Sequence, residues 1–135
     1  DRMQYIIMFT MVVMASIVDI VTGIFKAHIT NSYDSTIMKK GLYSKALNWF
    51  VMGFSIGMEL GLELLGRYYE HEGLAGFAGM LAAGTVFALI LLMESISIFE
   101  NFAIATPDSP LSKLIGRRLR KIQNEVTEED EKNDK

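Results

Sequence analysis

Three long stretches of the chain consist almost entirely of apolar residues. They cover residues 5–25, 46–65 and 74–99, and they contain one, two and one charged residue respectively. A helix needs about 20 mostly apolar residues to cross a hydrocarbon core of roughly 30 Å. Core helices of a soluble protein carry polar residues on their outward face, whereas residues 5–18 and 74–93 contain no charge on any face. The pattern predicts an all-α membrane protein with three transmembrane helices.

The composition fits one small membrane bundle and limits the chemistry of the chain. Of the 135 residues, 50% are hydrophobic and none is cysteine, so disulfides and thiolate metal sites are excluded. We predict one three-span membrane domain over residues 1–122. We also predict an acidic, disordered tail over residues 123–135, which hold six acids and two lysines. We expect no cofactor, no metal and no nucleic-acid partner.

The distribution of basic residues predicts how the chain crosses the membrane. The first connector, residues 26–45, has one acid, Asp34, and four lysines, which are Lys26, Lys39, Lys40 and Lys45. The second connector, residues 66–73, holds one firm positive charge, Arg67. Basic residues favour the cytoplasmic side of short loops. The first connector and the basic C-terminal segment share one side, so we predict an outside N-terminus and a cytoplasmic C-terminus.

The segment after the third span combines prolines, leucines and basic residues. Pro107 and Pro110 break the helix, and residues 111–122 then place their apolar side chains near one helical face. The basic residues of this segment are Lys113, Arg117, Arg118, Arg120 and Lys121. This pattern predicts a C-terminal amphipathic basic helix on an anionic membrane surface. A solvated helix that only fixes the topology explains the pattern equally well.

Small residues recur at helical spacing in the second and third spans. On a helix, residues four apart lie nearly above one another, so they form a smooth stripe that another helix can approach closely. The residues are Gly53, Gly57 and Gly61 in the second span and Ala75, Gly79 and Ala83 in the third. We expect these stripes to pack helices, either within one three-helix monomer or between copies of the chain.

Four acidic residues, Asp19, Glu59, Glu63 and Glu94, lie inside or near the ends of the predicted spans. A charge near the bilayer centre costs about 2.5–3.5 kcal/mol, so these carboxyl groups must be protonated, paired or facing water. No Lys or Arg lies within the predicted second or third span, and Lys26 is the nearest basic candidate for Asp19. We therefore hypothesise a hydrated pore formed by several copies and lined by Ser55, Glu59, Glu63 and Glu94.

Two short motifs occur at the ends of the first and third spans. The stretch DIVTGIFKA fits an Asp-x-x-Thr-Gly-x-x-Lys-Ala pattern through Asp19, Thr22, Gly23, Lys26 and Ala27. The stretch ESISIFEN fits a Glu…Ser-Ile-x-Glu-Asn pattern through Glu94, Ser97, Ile98, Glu100 and Asn101. Their order, and the proline-containing turn and basic helix that follow, resemble the toxin-secretion/phage-lysis holin family. The turn ATPDSP lacks the glycine that commonly precedes the prolines in that family.

The resemblance implies a small, phage-encoded protein of the bacterial inner membrane. Such proteins assemble as homo-oligomers into lesions, through which an endolysin reaches the cell wall and lyses the host. Related members are linked to the secretion of large toxins. The implied partners are the lipid bilayer, further copies of the chain, and an endolysin that need not touch it. An antiholin is a further candidate partner.

Other classes of membrane protein remain open on the residues alone. A small proton-coupled transporter could use Glu59 as its carboxylate, although no internal repeat is evident. A narrow ion-channel subunit or a membrane adaptor would also combine apolar helices with a few polar side chains. An enzyme is poorly supported, because His28 and His71 lie in or beside different connectors and no nucleophile or phosphate-binding motif appears.

Overall fold

The computed structural model describes residues 2–117, and within that range only the backbone of residues 72 and 74–81. The described chain forms three long helices and contains no strand. Their bounds are α1 (Met3–Ile29), α2 (Ser35–Tyr68) and α3 (Glu72–Ala105). The predicted all-α class is confirmed, and each helix contains one of the three predicted spans.

The first connector is much shorter than the sequence pattern indicates, because α2 begins well before its apolar stretch. Asp34 caps α2, and its carboxylate accepts hydrogen bonds from the backbone N–H groups of Thr36 (2.7 Å) and Ile37 (3.3 Å). The turn before this cap includes Asn31 in the left-handed backbone region, at φ 50°. The prediction of a connector over residues 26–45 is therefore wrong, since most of that segment is helical.

The bundle buries several polar side chains and exposes large apolar ones. Glu94 is 1% exposed and Asn101 7%, whereas Phe50 and Phe54 are 71% and 62% exposed. Water would disfavour this arrangement, and a hydrocarbon solvent favours it, because polar groups in lipid must be satisfied within the protein. Three segments are long and apolar enough to cross a membrane, namely Met3–Ile29, Ser35–Tyr68 and Ala82–Ala105.

The helices pack in an antiparallel order, with α3 in contact with both of the others and α1 and α2 touching each other least. Their common apolar core consists of Val12, Met52 and Ile90, one residue from each helix. Val12 and Met52 are completely buried. This core fixes the register of the helices, and with it the positions of the polar side chains above and below.

The chain after α3 turns sharply and becomes helical again over residues 110–117. Ser109 caps this segment, because its hydroxyl accepts a hydrogen bond from the Ser112 backbone N–H at 3.0 Å, and Pro110 occupies the first helical position. Leu111, Leu114, Lys113 and Arg117 are all exposed. The predicted amphipathic helix is thus described only in its first part. Arg118, Arg120, Lys121 and the predicted tail at 123–135 lie outside the described residues.

Truncation of the buried methionine should weaken the bundle. Met52→Ala opens a cavity where the three helices meet, and we expect it to lower the free energy of unfolding by about 2 kcal/mol. Met58→Ala is the matched control, because Met58 lies on the same helix and is 47% exposed. We expect it to change stability by less than about 0.5 kcal/mol. The measurement is SDS-titrated unfolding in mixed micelles, and equal losses in both variants would contradict the described core.

Candidate functional site

An ammonium group lies between two carboxylates in the half of the bundle that contains the α1–α2 turn. Lys45 Nζ is 2.5 Å from Asp19 Oδ2 and 2.5 Å from Glu94 Oε2. The three side chains are 12%, 8% and 1% exposed, so solvent screens these interactions little. We call Asp19, Lys45 and Glu94 the ion-pair cluster. Because each residue comes from a different helix, the cluster joins all three.

Neutral polar groups donate hydrogen bonds to the second carboxylate oxygen of Glu94. Asn48 Nδ2 and Ser16 Oγ donate hydrogen bonds to Glu94 Oε1 at 3.1 and 3.3 Å. Trp49 Nε1 in turn donates to Ser16 Oγ at 3.1 Å. Both oxygens of this buried carboxylate are therefore engaged, one by the lysine and the other by uncharged donors.

Asn101 donates a hydrogen bond to the second carboxylate oxygen of Asp19. Its amide nitrogen donates to Asp19 Oδ1 at 3.0 Å and contacts Thr22 Oγ1 at 3.4 Å. Thr22 donates to the backbone oxygen of Asp19 at 3.0 Å. Gly23 lies beside this amide, and a Cβ added there would be 3.6 Å from Asn101 Nδ2. Both sequence motifs therefore meet at the ion-pair cluster, because Asp19, Thr22 and Gly23 lie beside Asn101, and Glu94 shares Lys45 with Asp19.

The remaining motif residues lie outside this network. Lys26 and Ser97 are partly buried and Glu100 is exposed, with none of them in the ion pairs or hydrogen bonds of the cluster. Asp19 pairs with Lys45 rather than with Lys26, which the sequence pattern indicated as the nearest basic candidate. That expectation is wrong because α2 extends back through Lys45 and carries it alongside α1.

A second polar layer lies at the opposite end of the bundle. Tyr5 donates a hydrogen bond to Glu59 Oε1 at 2.8 Å, and Glu59 is 6% exposed. Ser55 is also buried and donates to the backbone oxygen of Val51 at 2.9 Å. Glu63 points outward and pairs with Arg67 on the surface of α2. The Ser55–Glu59 side of α2 thus faces the bundle interior, and Glu63 reaches its exterior.

The apolar core separates the two polar layers. Along α1, Val12 lies between Tyr5 and Asp19. Met52 of α2 and Ile90 of α3 pack against Val12 at this level of the bundle. No buried side-chain nitrogen or oxygen in the described part of the chain lacks a hydrogen-bond partner. The buried acids are therefore satisfied within the single chain, although no Lys or Arg lies within the predicted second or third span.

The two small-residue stripes have different surroundings. Gly53 and Gly57 are exposed on α2, and a Cβ added at Gly57 or Gly61 would meet nothing within 4 Å. Ala83 is completely buried within the bundle. Ala75 and Gly79 lie in the helical backbone of α3, and their side chains fall outside the described residues. The α2 stripe is thus open for contact in the single chain.

The sequence was also compared with known protein families. The family model of bacteriophage holins matches residues 3–124, which is most of the chain. The chain belongs to this holin family. Together with the three apolar helices, membership makes it a multi-pass membrane protein. Neither the curated proteins nor the solved structures give a match to this chain.

Sequence reasoning missed the residues that complete the polar layers of this holin. Lys45, Asn48 and Trp49 precede or begin the predicted second span, and Tyr5 is 54 residues away from Glu59. A usable signal was present, since Lys45, Met52 and Glu59 are spaced by seven residues and so share one helical face. Among the described residues, no cluster of His, Cys, Asp or Glu could hold a metal ion.

Removal of the lysine should strongly destabilise the holin bundle. Lys45→Met leaves two buried carboxylates without their cation, and we expect a loss of about 3–5 kcal/mol in unfolding free energy. Lys40→Met is the control, because Lys40 is exposed on the same helix. The triple variant Asp19→Asn, Lys45→Met, Glu94→Gln removes all three charges and should regain about half of the loss. SDS titration in micelles measures each, and a neutral Lys45→Met would refute the ion-pair cluster.

Proposed function

We propose that this chain is a phage holin that oligomerises in the bacterial inner membrane and forms lesions that release an endolysin. The observation that carries the proposal is the family match over residues 3–124. The exterior of the bundle is suited to a lipid bilayer, because all three helices expose large apolar side chains. The endolysin would pass through the lesion and need not contact the holin.

The closed bundle supports a lesion formed between chains rather than through one chain. The core of Val12, Met52 and Ile90 blocks a polar path along the bundle axis. All buried polar side-chain atoms of the described residues are satisfied internally. We propose that this bundle is the form that accumulates, and that lesions require copies to associate or helices to separate.

The α2 glycine stripe is the proposed contact between copies. Gly53, Gly57 and Gly61 leave a smooth strip on α2. Among the described side chains, only Phe9 comes within 4 Å of a Cβ added to one of these glycines, at 3.9 Å from Gly53. Association of helices in lipid depends on close backbone approach, which such a strip permits. The neighbouring Phe50 and Phe54 are exposed and would border the contact.

The proposed lumen is lined by Ser55, Glu59, Glu63 and Glu94, and only Glu63 lies on the outside of the single bundle. Ser55, Glu59 and Glu94 would reach water after the helices separate. Glu59 would then lose its hydrogen bond from Tyr5 and bind water instead. A narrow ion channel or proton-coupled transporter would use the same carboxylates without passing folded protein. The size of the released solute therefore separates these functions.

The proposed orientation places the N-terminus outside and the C-terminus in the cytoplasm. Lys39 and Lys40 at the start of α2 and Lys113 and Arg117 after α3 lie at the same end of the antiparallel bundle. Basic residues favour the cytoplasmic side. The exposed Leu111 and Leu114 support a membrane-surface role for the helical segment that carries these basic groups. An antiholin remains a candidate partner.

Induction of the chain in a bacterial host should stop growth abruptly after a delay. Co-expression with a cell-wall hydrolase should then release a folded cytoplasmic enzyme, because a lesion admits macromolecules. Culture density and the activity of that enzyme in the medium measure both events. Potassium efflux without escape of the enzyme would instead establish a narrow channel or transporter.

The double variant Glu59→Gln, Glu63→Gln should change the time of onset or the amount of leak. Both substitutions keep the side-chain volume and remove the charges that the proposed lumen presents to water. Glu70→Gln with Asp108→Asn is the matched control, because both residues are exposed and lie between the helices or after α3. Dye leakage and cross-linked oligomer ladders report the effect, and no difference from wild type in either would contradict a lumen role.

A further inference from the structure

An open groove lies at the end of the bundle where α1 begins and α2 ends. Its volume is about 640 Å³. Its lining includes Arg2, Tyr5, Leu60, Glu63, Leu64 and Arg67. The groove is remote from the ion-pair cluster, which lies beyond the apolar core, and of its lining the proposed lesion mechanism uses only Tyr5 and Glu63.

The charge along the lining favours an anion. Two guanidinium groups face one carboxylate, so the lining carries one net positive charge. Glu63 pairs with Arg67, and Arg2 has no ion pair with any residue that the structure describes. Glu59 lies behind Tyr5, is 6% exposed and does not line the groove. Arginine suits phosphate in particular, because its planar fork donates two parallel hydrogen bonds.

The order of groups along the groove is that of a phospholipid. Arg67 lies in the last turn of α2, and Leu64 and Leu60 follow one and two turns deeper toward the bundle centre. Tyr68 and Tyr69, next to Arg67, are 79% and 64% exposed, as expected of side chains at a membrane interface. A headgroup at the guanidinium groups would therefore place an acyl chain along the two leucines.

The start of α1 adds to the attraction for phosphate. The first turn of α1 contains no acidic residue, and Arg2 at its N-cap makes no side-chain capping hydrogen bond. The N-terminal end of a helix attracts anions through its backbone N–H groups and its dipole. The C-terminal end of α2 at the same groove opposes this contribution, so the assignment depends on the two arginines.

We propose that this groove binds the phosphodiester group of a phospholipid in the leaflet at the N-terminal end of α1. Arg2 and Arg67 hold the phosphate, and Leu60 and Leu64 contact an acyl chain. Glu63 competes with the phosphate for Arg67 and so sets the affinity. The proposal goes beyond lesion formation, and lipid binding would stand even if the chain released no enzyme.

The test uses the full chain in maltoside micelles and counts retained lipids by native mass spectrometry. The probes are dioleoylphosphatidylglycerol and dioleoylglycerol, which share their acyl chains and differ in the phosphoglycerol group. We expect the phosphate-bearing lipid to be retained at least about tenfold more strongly, because charge-assisted hydrogen bonds to phosphate are lost in the other. Equal retention of the two lipids would overturn the proposal.

Variants locate the binding. Arg2→Gln with Arg67→Gln should reduce the preference to within about twofold, while Lys39→Gln with Lys40→Gln, which removes two exposed charges at the other end of α2, should preserve it. Glu63→Gln keeps both arginines and should increase retention of phosphatidylglycerol. Circular dichroism checks that each variant is folded. Equal losses in the two double variants, or weaker retention by Glu63→Gln, would overturn the assignment.

Inorganic phosphate distinguishes a lipid site from a free-phosphate site. We expect millimolar phosphate to leave most of the phosphatidylglycerol bound, because the leucine wall contributes only to a ligand that has acyl chains. Complete displacement, with phosphate adducts that depend on Arg2 and Arg67, would overturn the lipid assignment in favour of a soluble anion.

Discussion

Lys45 Nζ is the single cation that holds carboxylates from both other helices, and the packing of the bundle depends on it. Asp19 and Glu94 are less than a tenth exposed, and a bilayer offers no water to replace a lost partner. Asn48, Ser16 and Asn101 satisfy the carboxylate oxygens that lie away from the lysine. Each helix supplies at least one donor or acceptor to the cluster. Directional hydrogen bonds therefore align the three helices together with the ion pairs.

The buried polar atoms of the described residues are all paired within the single chain, and this constrains how the bundle can change. Separation of the helices exposes carboxylates to hydrocarbon, at a cost of about 2.5–3.5 kcal/mol for each charge near the bilayer centre. New partners or water must therefore arrive as the old contacts break. Among the side chains that the structure describes, one hydrogen bond joins α1 to α2 in the Tyr5–Glu59 layer, whereas the ion-pair cluster has two ion pairs. Opening of the ion-pair cluster therefore has to separate charged partners, whereas loss of the Tyr5–Glu59 contact breaks a hydrogen bond to an uncharged hydroxyl.

The sequence was sufficient to predict the three spans, because lipid requires long apolar stretches and the chain has three. It also placed Asp19 and Glu94 in motifs that the structure brings together. The start of α2 was not predictable from apolarity, since residues 35–45 are helical but mostly polar, and the Asp34 cap was the available signal. The pairing of Tyr5 with Glu59 depends on the register between α1 and α2. Packing at Val12 and Met52 sets that register, and no local pattern encodes it.

The distribution of the three charges along the chain has a consequence for biosynthesis. Asp19 and Lys45 both belong to the α1–α2 hairpin, so their charges balance as soon as the first two helices are in the membrane. Glu94 arrives later, on a helix whose described part contains no lysine or arginine. Its carboxylate then shares Lys45 with Asp19 and accepts hydrogen bonds from Ser16 and Asn48 of the hairpin. Burial of the Glu94 carboxylate with its partners therefore requires α3 to pack on the hairpin.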